Sequence, residues 1–198
     1  MKIVIVGATG TIGKHVVSSL EKDHEIISVG SKSGDIRADI GSPESIENLF
    51  KQVGHFDALV NVSGDAYFGP LKTMTDKDFR RGVDSKLMGQ INLVLIGQHY
   101  INSKGSFTLT SGVLTQDPVL SGANPSAANG AIESFVRAAA IELENGVRIN
   151  AVSPTVVEDS PEYFSYFPGH IPVSMKQVVN GYQKSVMGAG TGQVINVY

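Results

Sequence analysis

Residues 2–13 read KIVIVGATGTIG, a run of apolar β-formers that passes without a break into a glycine-rich turn. Lys2-Ile3-Val4-Ile5-Val6 has the pattern of a strand apolar on both faces, as a parallel strand covered by helices on each side should be. Gly7-Ala8-Thr9-Gly10-Thr11-Ile12-Gly13 follows it, and Ile12, Val16, Val17 and Leu20 then recur with helical period. Between a strand and a helix, each glycine has a purpose. Gly7 allows a tight turn, Gly10 lets backbone N–H groups approach a pyrophosphate, and Gly13 lets helix and strand pack closely, with the positive helix end facing the anion. A dinucleotide site is the favoured reading, and a ligand-free strand-to-helix turn competes with it.

Beyond this stretch, short apolar runs alternate with segments of helical period. Strands are expected at 2–6, 25–29, 57–62, 105–110, 146–152 and 193–197. Ser42-Pro43 supplies a cap followed by proline at the first helical position, Thr75-Asp76-Lys77-Asp78 has the form of a capping box, and Asn124-Pro125 repeats the cap-plus-proline signal. Helices are therefore expected to begin near 11, 43, 76 and 125. Ala128, Ile132, Phe135, Val136, Ala139 and Leu143 form the apolar stripe of the last of these.

The β-α alternation predicts an α/β fold with a doubly wound parallel sheet. No linker or repeat divides the chain, so residues 1–198 are expected to form one domain. Only nine residues, 30–38, separate Val29 from Asp39, whereas a crossover between parallel neighbours needs roughly a dozen or more. The third strand should thus be vestigial, about Ile36 to Ala38, after a shortened second crossover.

Composition narrows the function. There is no cysteine, which excludes thiol catalysis, zinc–thiolate sites and disulfides, and suits a reducing compartment. Sixteen Lys and Arg against nineteen Asp and Glu leave a net charge of −3 with no basic stripe, so neither nucleic acid nor a membrane surface is an expected partner. The apolar run at Ile3–Val6 is far too short for a signal-peptide core or a spanning helix. A soluble cytoplasmic protein working on a small molecule is expected.

An acidic residue at the end of the second strand would bind the ribose 2′-hydroxyl of NAD. This chain has Gly30-Ser31-Lys32-Ser33 there, with no carboxylate until Asp35. A lysine between two hydroxyls suits a 2′-phosphate, so NADP(H) is favoured over NAD(H). A solvated turn is the bland alternative.

The ordered set formed by the glycine loop, Asp39-Ile40, Asn61-Val62-Ser63-Gly64, Thr110-Ser111-Gly112, Asn150-Ala151-Val152-Ser153-Pro154-Thr155 and Thr191-Gly192-Gln193-Val194 resembles the short-chain dehydrogenase/reductase family over essentially the whole chain. The resemblance implies a Rossmann fold holding a nicotinamide dinucleotide across the carboxyl ends of the strands. Gly7, Thr9, Gly10, Thr11, Ile12 and Gly13 would surround the pyrophosphate and adjacent ribose. Asp39 and Ile40 would bracket adenine, Asn61, Val62, Ser63 and Gly64 would run under the cofactor, and Pro154, Val156 and Val157 would flank the nicotinamide. It also implies a homodimer or homotetramer, built by packing two long helices near 76–101 and 125–143 against their symmetry mates.

The resemblance further assigns the chemistry to a tyrosine, a lysine four residues later, a serine on the fifth strand and an asparagine on the preceding long helix. Ser111 matches the serine. Pro125 falls at the tyrosine position, Asn129 at the lysine position and Lys86 at the asparagine position. Proline cannot donate a proton and the asparagine amide does not ionise near neutrality. Lys86 is the candidate substitute donor with Ser111 orienting the oxygen, against the alternative that Lys86 only makes polar contacts.

Tyr163, Tyr166 and His170 lie in 158–173, where the family carries a substrate-covering loop, and are expected to serve as its packed wall. His15, His24, His55 and His99 have no ligand spacing, and no metal site is expected. The leading expectation is an NADP(H)-dependent oxidoreductase acting on a small carbonyl or alcohol with non-standard catalytic residues. The alternative is a catalytically silent NADP(H)-binding sensor or interaction module.

Overall fold

The computed structural model describes residues 1–198. In chain order it forms β1 (Lys2–Val6), α1 (Thr11–Leu20), β2 (Glu25–Gly30), β3 (Ile36–Arg37), α2 (Pro43–Val53), β4 (Phe56–Asn61), α3 (Asp76–Arg81) and α4 (Gly89–Gly97). There follow β5 (Ile101–Thr110), α5 (Ala123–Glu142), β6 (Arg148–Pro154), α6 (Met175–Met187) and β7 (Val194–Val197). All pairings are parallel, in the order β3-β2-β1-β4-β5-β6-β7.

Ile3, Val4 and Ile5 of β1 are fully buried, because the sheet is covered on both faces and β1 lies inside it. On one face Leu49, Phe50, Leu93, Ile132 and Val136 from α2, α4 and α5 pack on Val4, Leu59 and Phe107. On the other, Val16 and Leu20 of α1 and Val178 and Tyr182 of α6 pack on Ile3, Ile5 and Val60. Each such side chain contributes roughly 1.5–3 kcal/mol by leaving water, so these two layers hold the strand ends in place. The chain winds from β1 out to β3, then returns to lay β4 on the other side of β1. The order reverses there, and a crevice opens at the carboxyl ends of β1 and β4.

The short second crossover has the expected consequence. β3 is two residues long and pairs only Val29 with Ile36 and Gly30 with Arg37. Ser42 caps α2 by accepting from the Ser45 N–H, and Thr75 and Asp78 form the reciprocal capping box of α3.

Three expectations are corrected. The long helix near 76–101 is interrupted: after α3, Gly82–Met88 is π-helical, α4 ends at Gly97, and β5 already begins at Ile101. Gly82 and Gly89, which bound the π-helical stretch, have no side chains because neighbours occupy that space. An added Cβ on Gly82 would overlap the Asn124 side chain, and one on Gly89 would lie 2.7 Å from Ile40 Cδ1.

The second correction is at α5, which starts at Ala123 with Gly122 as its cap residue and no side-chain cap bond. Asn124 is instead buried, accepting from the Tyr67 N–H (2.8 Å) and donating to the Phe79 carbonyl (2.6 Å). The third is α6, a helix absent from the expected starts, although Ser174 and Gln177 form a capping box before it.

Candidate active site

Gly7 adopts φ +84°, and a Cβ there would stand 2.8 Å from Ser63 Cβ. The turn after β1 is thereby pressed onto the end of β4. At Gly13 an added Cβ would overlap the Gly7 carbonyl, so α1 can start directly over the turn only with glycine there. Gly10 precedes α1 in extended conformation, no side chain caps the helix, and its first turn has no acidic residue. The first N–H groups and the positive end of α1 are left open to an anion.

From this helix end a groove of about 580 Å³ runs over the sheet, lined by Gly7, Thr9, Gly10, Val62, Ser63 and Gly64. Its far end is formed by Ser31, Lys32 and Ser33 on one side and Asp39 and Ile40 on the other. Ser33 Oγ donates to Thr9 Oγ1 at 3.2 Å, which ties the turn after β2 to the glycine loop. Asp35 faces away from the groove: its carboxylate accepts from the Ser28 N–H and hydroxyl at 2.8 and 2.6 Å. Those bonds hold its pKa below the usual carboxylate range. Asp39 accepts from the Gly41 N–H at 2.9 Å. Thr11, Gly13 and Asn61 do not line the groove. Asn61 exchanges bonds with Ser63, Nδ2 to the Ser63 carbonyl at 2.9 Å and Ser63 Oγ to Oδ1 at 2.7 Å, which stiffens the floor.

At Gly64 and Asp65 the groove meets a second cavity of about 240 Å³. Lys86, Ser111, Pro125 and Asn129 all line it, together with Ile12, Pro154, Val156 and Val157. Three elements converge here: the π-helical stretch, the end of β5 and the first turns of α5. The wider π-helical turn re-aims Lys86, and such stretches recur at functional sites. Gly64, at φ +125°, leaves room for it, since a Cβ there would lie 2.9 Å from Lys86 Cα.

Lys86 Nζ donates to the Ser111 carbonyl at 3.2 Å. Burial of the ammonium lowers its pKa from 10.5 to about 8, because the charged form loses hydration that one carbonyl does not replace. Ser111 is buried, and its hydroxyl donates to Glu133 Oε1 at 3.2 Å. Glu133 is also buried, with Gln116 Nε2 at 3.1 Å and an Arg137 guanidinium nitrogen at 3.5 Å from its Oε2. Asn129 Nδ2 donates to the Gly112 carbonyl at 3.3 Å, and its Oδ1 is buried without a partner.

The segment above the cavity includes a 3₁₀ turn, Pro161–Tyr166. Tyr163 and Tyr166 pack on Phe68 with centroids 5.9 and 5.1 Å apart, and Tyr163 and Phe167 line the cavity. His170 stands outside it, 3.3 Å from Asp117 Oδ2 and 3.2 Å from Thr155 Oγ1.

Sequence reasoning passed over Glu133 and Gln116. The signal for Glu133 was an acidic residue beside Ile132 and between Asn129 and Val136, on the buried side of α5. Nothing in the sequence marked Gln116.

A parallel doubly wound sheet with an open helix end at its switch point is the arrangement of dinucleotide-binding Rossmann proteins. Residues 4–168 match the family model described as enoyl-(acyl carrier protein) reductase, and the chain belongs to the short-chain dehydrogenase/reductase family. Among solved structures, the protein lin1944 from Listeria innocua is similar at 46% identity, 100% coverage of both chains and a TM-score of 0.98. A small-chain dehydrogenase in complex with NADPH is similar at 26% identity, 100% coverage of this chain and 96% of that one, with a TM-score of 0.88. Versicolorin reductase stcU of Emericella nidulans is 30% identical over 140 residues, 68% of this chain, and the match spans 53% of that relative. No helix is long and apolar enough to cross a membrane.

Proposed function

We propose that residues 1–198 act as one unit, an NADP(H)-dependent oxidoreductase that interconverts a small carbonyl compound and its alcohol without a tyrosine–lysine pair. The observation that carries this reading is the continuity of the two cavities at Gly64, which brings the groove of the glycine loop to the Lys86 ammonium beside Ser111.

The residues present fit the cofactor. The open end of α1 suits a pyrophosphate. Ser31, Lys32 and Ser33 are exposed at the groove's end, and Asp35 is turned onto Ser28, so a 2′-phosphate there would meet a cation and hydroxyls, with Asp39 the one carboxylate across the groove at that end. Asp39 and Ile40 would bracket the adenine, and Pro154, Val156 and Val157 would wall the nicotinamide end. A bound nicotinamide supplies or takes up the hydride at the carbonyl carbon. The chain's own part is at the oxygen. Lys86 Nζ donates its proton to that oxygen during reduction and becomes a neutral amine, and takes the proton back during oxidation; a pKa near 8 keeps both forms within reach at physiological pH. Ser111 borders the same space, and orients the oxygen once its hydroxyl turns from Glu133 Oε1 toward it. Exposed Leu95 of α4 and Ile141 of α5 suit packing against a second copy, as a homodimer or homotetramer requires.

The second reading, a silent NADP(H) sensor, is favoured by one observation: Pro125 and Asn129 line the cavity where the family resemblance puts its ionising pair. Titration of the purified protein with NADPH, followed by a panel of small carbonyl compounds, tests both readings. Turnover that is lost in Lys86→Ala supports the enzyme; turnover that Lys86→Ala retains overturns the donor assignment; NADPH binding with no turnover on any compound favours the sensor.

A further inference from the structure

The charges around the inner cavity do not balance, and the excess falls on Lys86. Asp65 borders the cavity, and Arg81 holds its Oδ2 through Nε at 2.6 Å. Glu133 stands behind Ser111, with Arg137 at 3.5 Å from its other oxygen. Each of these carboxylates therefore has an arginine of its own. Lys86 has no such partner: its Nζ donates to the Ser111 carbonyl at 3.2 Å, and neither carboxylate pairs with it. The residue is half-buried with its ammonium at the buried end, where desolvation is the one influence on its pKa.

The elements packed around Lys86 supply no counter-charge either. α4 contains no charged residue. In α3, Asp76 pairs with Arg80 at 2.8 Å, and Asp78 is engaged by Thr75 in the capping box. Asp84, on the π-helical stretch itself, is exposed and acts on Arg80. In the segment above the cavity, Asp159 pairs with Lys14 and His15. Tyr163, the remaining ionisable lining residue, is uncharged as a phenol. The cavity is thus left with the uncompensated charge of one ammonium.

A reduced nicotinamide ring is neutral and an oxidised one is a cation. Beside Lys86, within a space of about 240 Å³, a second positive charge is strongly disfavoured. We propose that Lys86 makes this site distinguish the redox forms of its cofactor: NADPH binds with the ammonium charged, whereas NADP⁺ binds as the ammonium releases its proton to solvent. In that release one N–H bond of Lys86 breaks, the proton goes to water, and the neutral amine remains. The inference rests on the assignment of this cavity as the reacting end of an NADP(H) site, and deepens it. When Lys86 protonates a substrate oxygen, the positive charge it loses is the one the ring gains, so the site carries a single positive charge before and after reduction.

The sign of the pH dependence follows. In the cofactor-free protein the Lys86 pKa is about 8, and a cationic ring beside it lowers that value further. NADP⁺ binding therefore weakens as the pH falls below 8, while NADPH binding is spared.

The test is calorimetric titration of wild type and Lys86→Met with NADPH and with NADP⁺ at pH 7 and pH 9.5, each in two buffers of different ionisation enthalpy. Both nucleotides carry the same phosphates, so the ratio of their affinities isolates the ring. At pH 7 the wild type is expected to prefer NADPH by about tenfold or more, and to release close to one more proton per site with NADP⁺ than with NADPH. At pH 9.5 the preference falls to about twofold or less, and Lys86→Met shows that small ratio and no difference in proton release at either pH. If the variant does not fold, the pH dependence of the wild-type ratio carries the test. Equal affinity for the two forms at pH 7, or a preference that survives at pH 9.5 or in folded Lys86→Met, overturns the proposal. Failure of the NADP(H) assignment is separate, and would be seen as no binding of either form to the wild type.

Discussion

Replacing Lys86 with methionine should make the cofactor-free protein more stable at neutral pH while abolishing its proton donor. The lysine's pKa is lowered from 10.5 to about 8 by burial, and a difference of that size corresponds to roughly 3 kcal/mol. The sign follows from proton linkage. Between pH 8 and 10.5 the unfolded chain binds a proton at this lysine that the folded chain has given up, so wild-type stability rises with pH across that window. Below pH 8 both states are charged and the full cost of burying the ammonium is present. Methionine has similar length and no charge, so Lys86→Met removes that cost and forfeits the bond to the Ser111 carbonyl, worth roughly 1.5 kcal/mol.

The net gain at pH 7 is about 1–2 kcal/mol, equivalent to roughly 2–8 °C in Tm for a chain of this size. It should disappear near pH 10.5. Urea unfolding of wild type and variant at the two pH values, without nucleotide, measures both numbers. A wild type more stable than the variant at pH 7, or the same difference at both pH values, would show that Lys86 is not a destabilised, function-bearing charge.

Gly13→Ala should cost roughly 1–3 kcal/mol of stability, since its Cβ would overlap the Gly7 carbonyl, and should weaken NADPH binding; thermal unfolding and fluorescence titration measure the two effects. Lys32→Ala should reduce affinity for NADPH while leaving NADH nearly unchanged, which paired titrations would reveal, and full retention of NADPH preference would count against the 2′-phosphate site. Tyr182→Phe should cost about 1 kcal/mol in urea unfolding: Thr110 gives its proton to the Asn61 carbonyl, so the Tyr182 hydroxyl must donate to Thr110 Oγ1 at 2.7 Å, and its removal leaves the lone pairs of that oxygen without a donor.

Much of the fold was legible because local signals agreed with the global arrangement. Ile3 to Val6 and the glycine turn specify a buried strand followed by a helix, and counting residues 30–38 was enough to foresee a vestigial third strand at about Ile36 to Ala38, of which Ile36–Arg37 forms. What was missed depended on contacts distant in sequence. Asn124 has the ordinary signature of a helix cap, yet Phe79 and Tyr67, each more than forty residues away, claim its side chain. The π-helical stretch leaves no periodic signature in seven residues; it depends on Gly82 and Gly89 fitting against Asn124 and Ile40.

The site divides in the same way. The groove follows from a contiguous motif, whereas the polarity of the inner cavity depends on Ser111, Glu133, Gln116 and Asn129 meeting across β5, its following loop and α5. No spacing rule links those four. Glu133 sits among apolar neighbours in the sequence, and only its contact with Ser111 reveals why a carboxylate is there.

The decisive measurement is a fluorescence titration of the purified protein with NADPH and with NADH at moderate salt. Saturable binding of both, tighter for NADPH, is the predicted result. No binding of either nucleotide would contradict a dinucleotide site at the open end of α1, and with it the assignment of Lys86 and Ser111 to its reacting end.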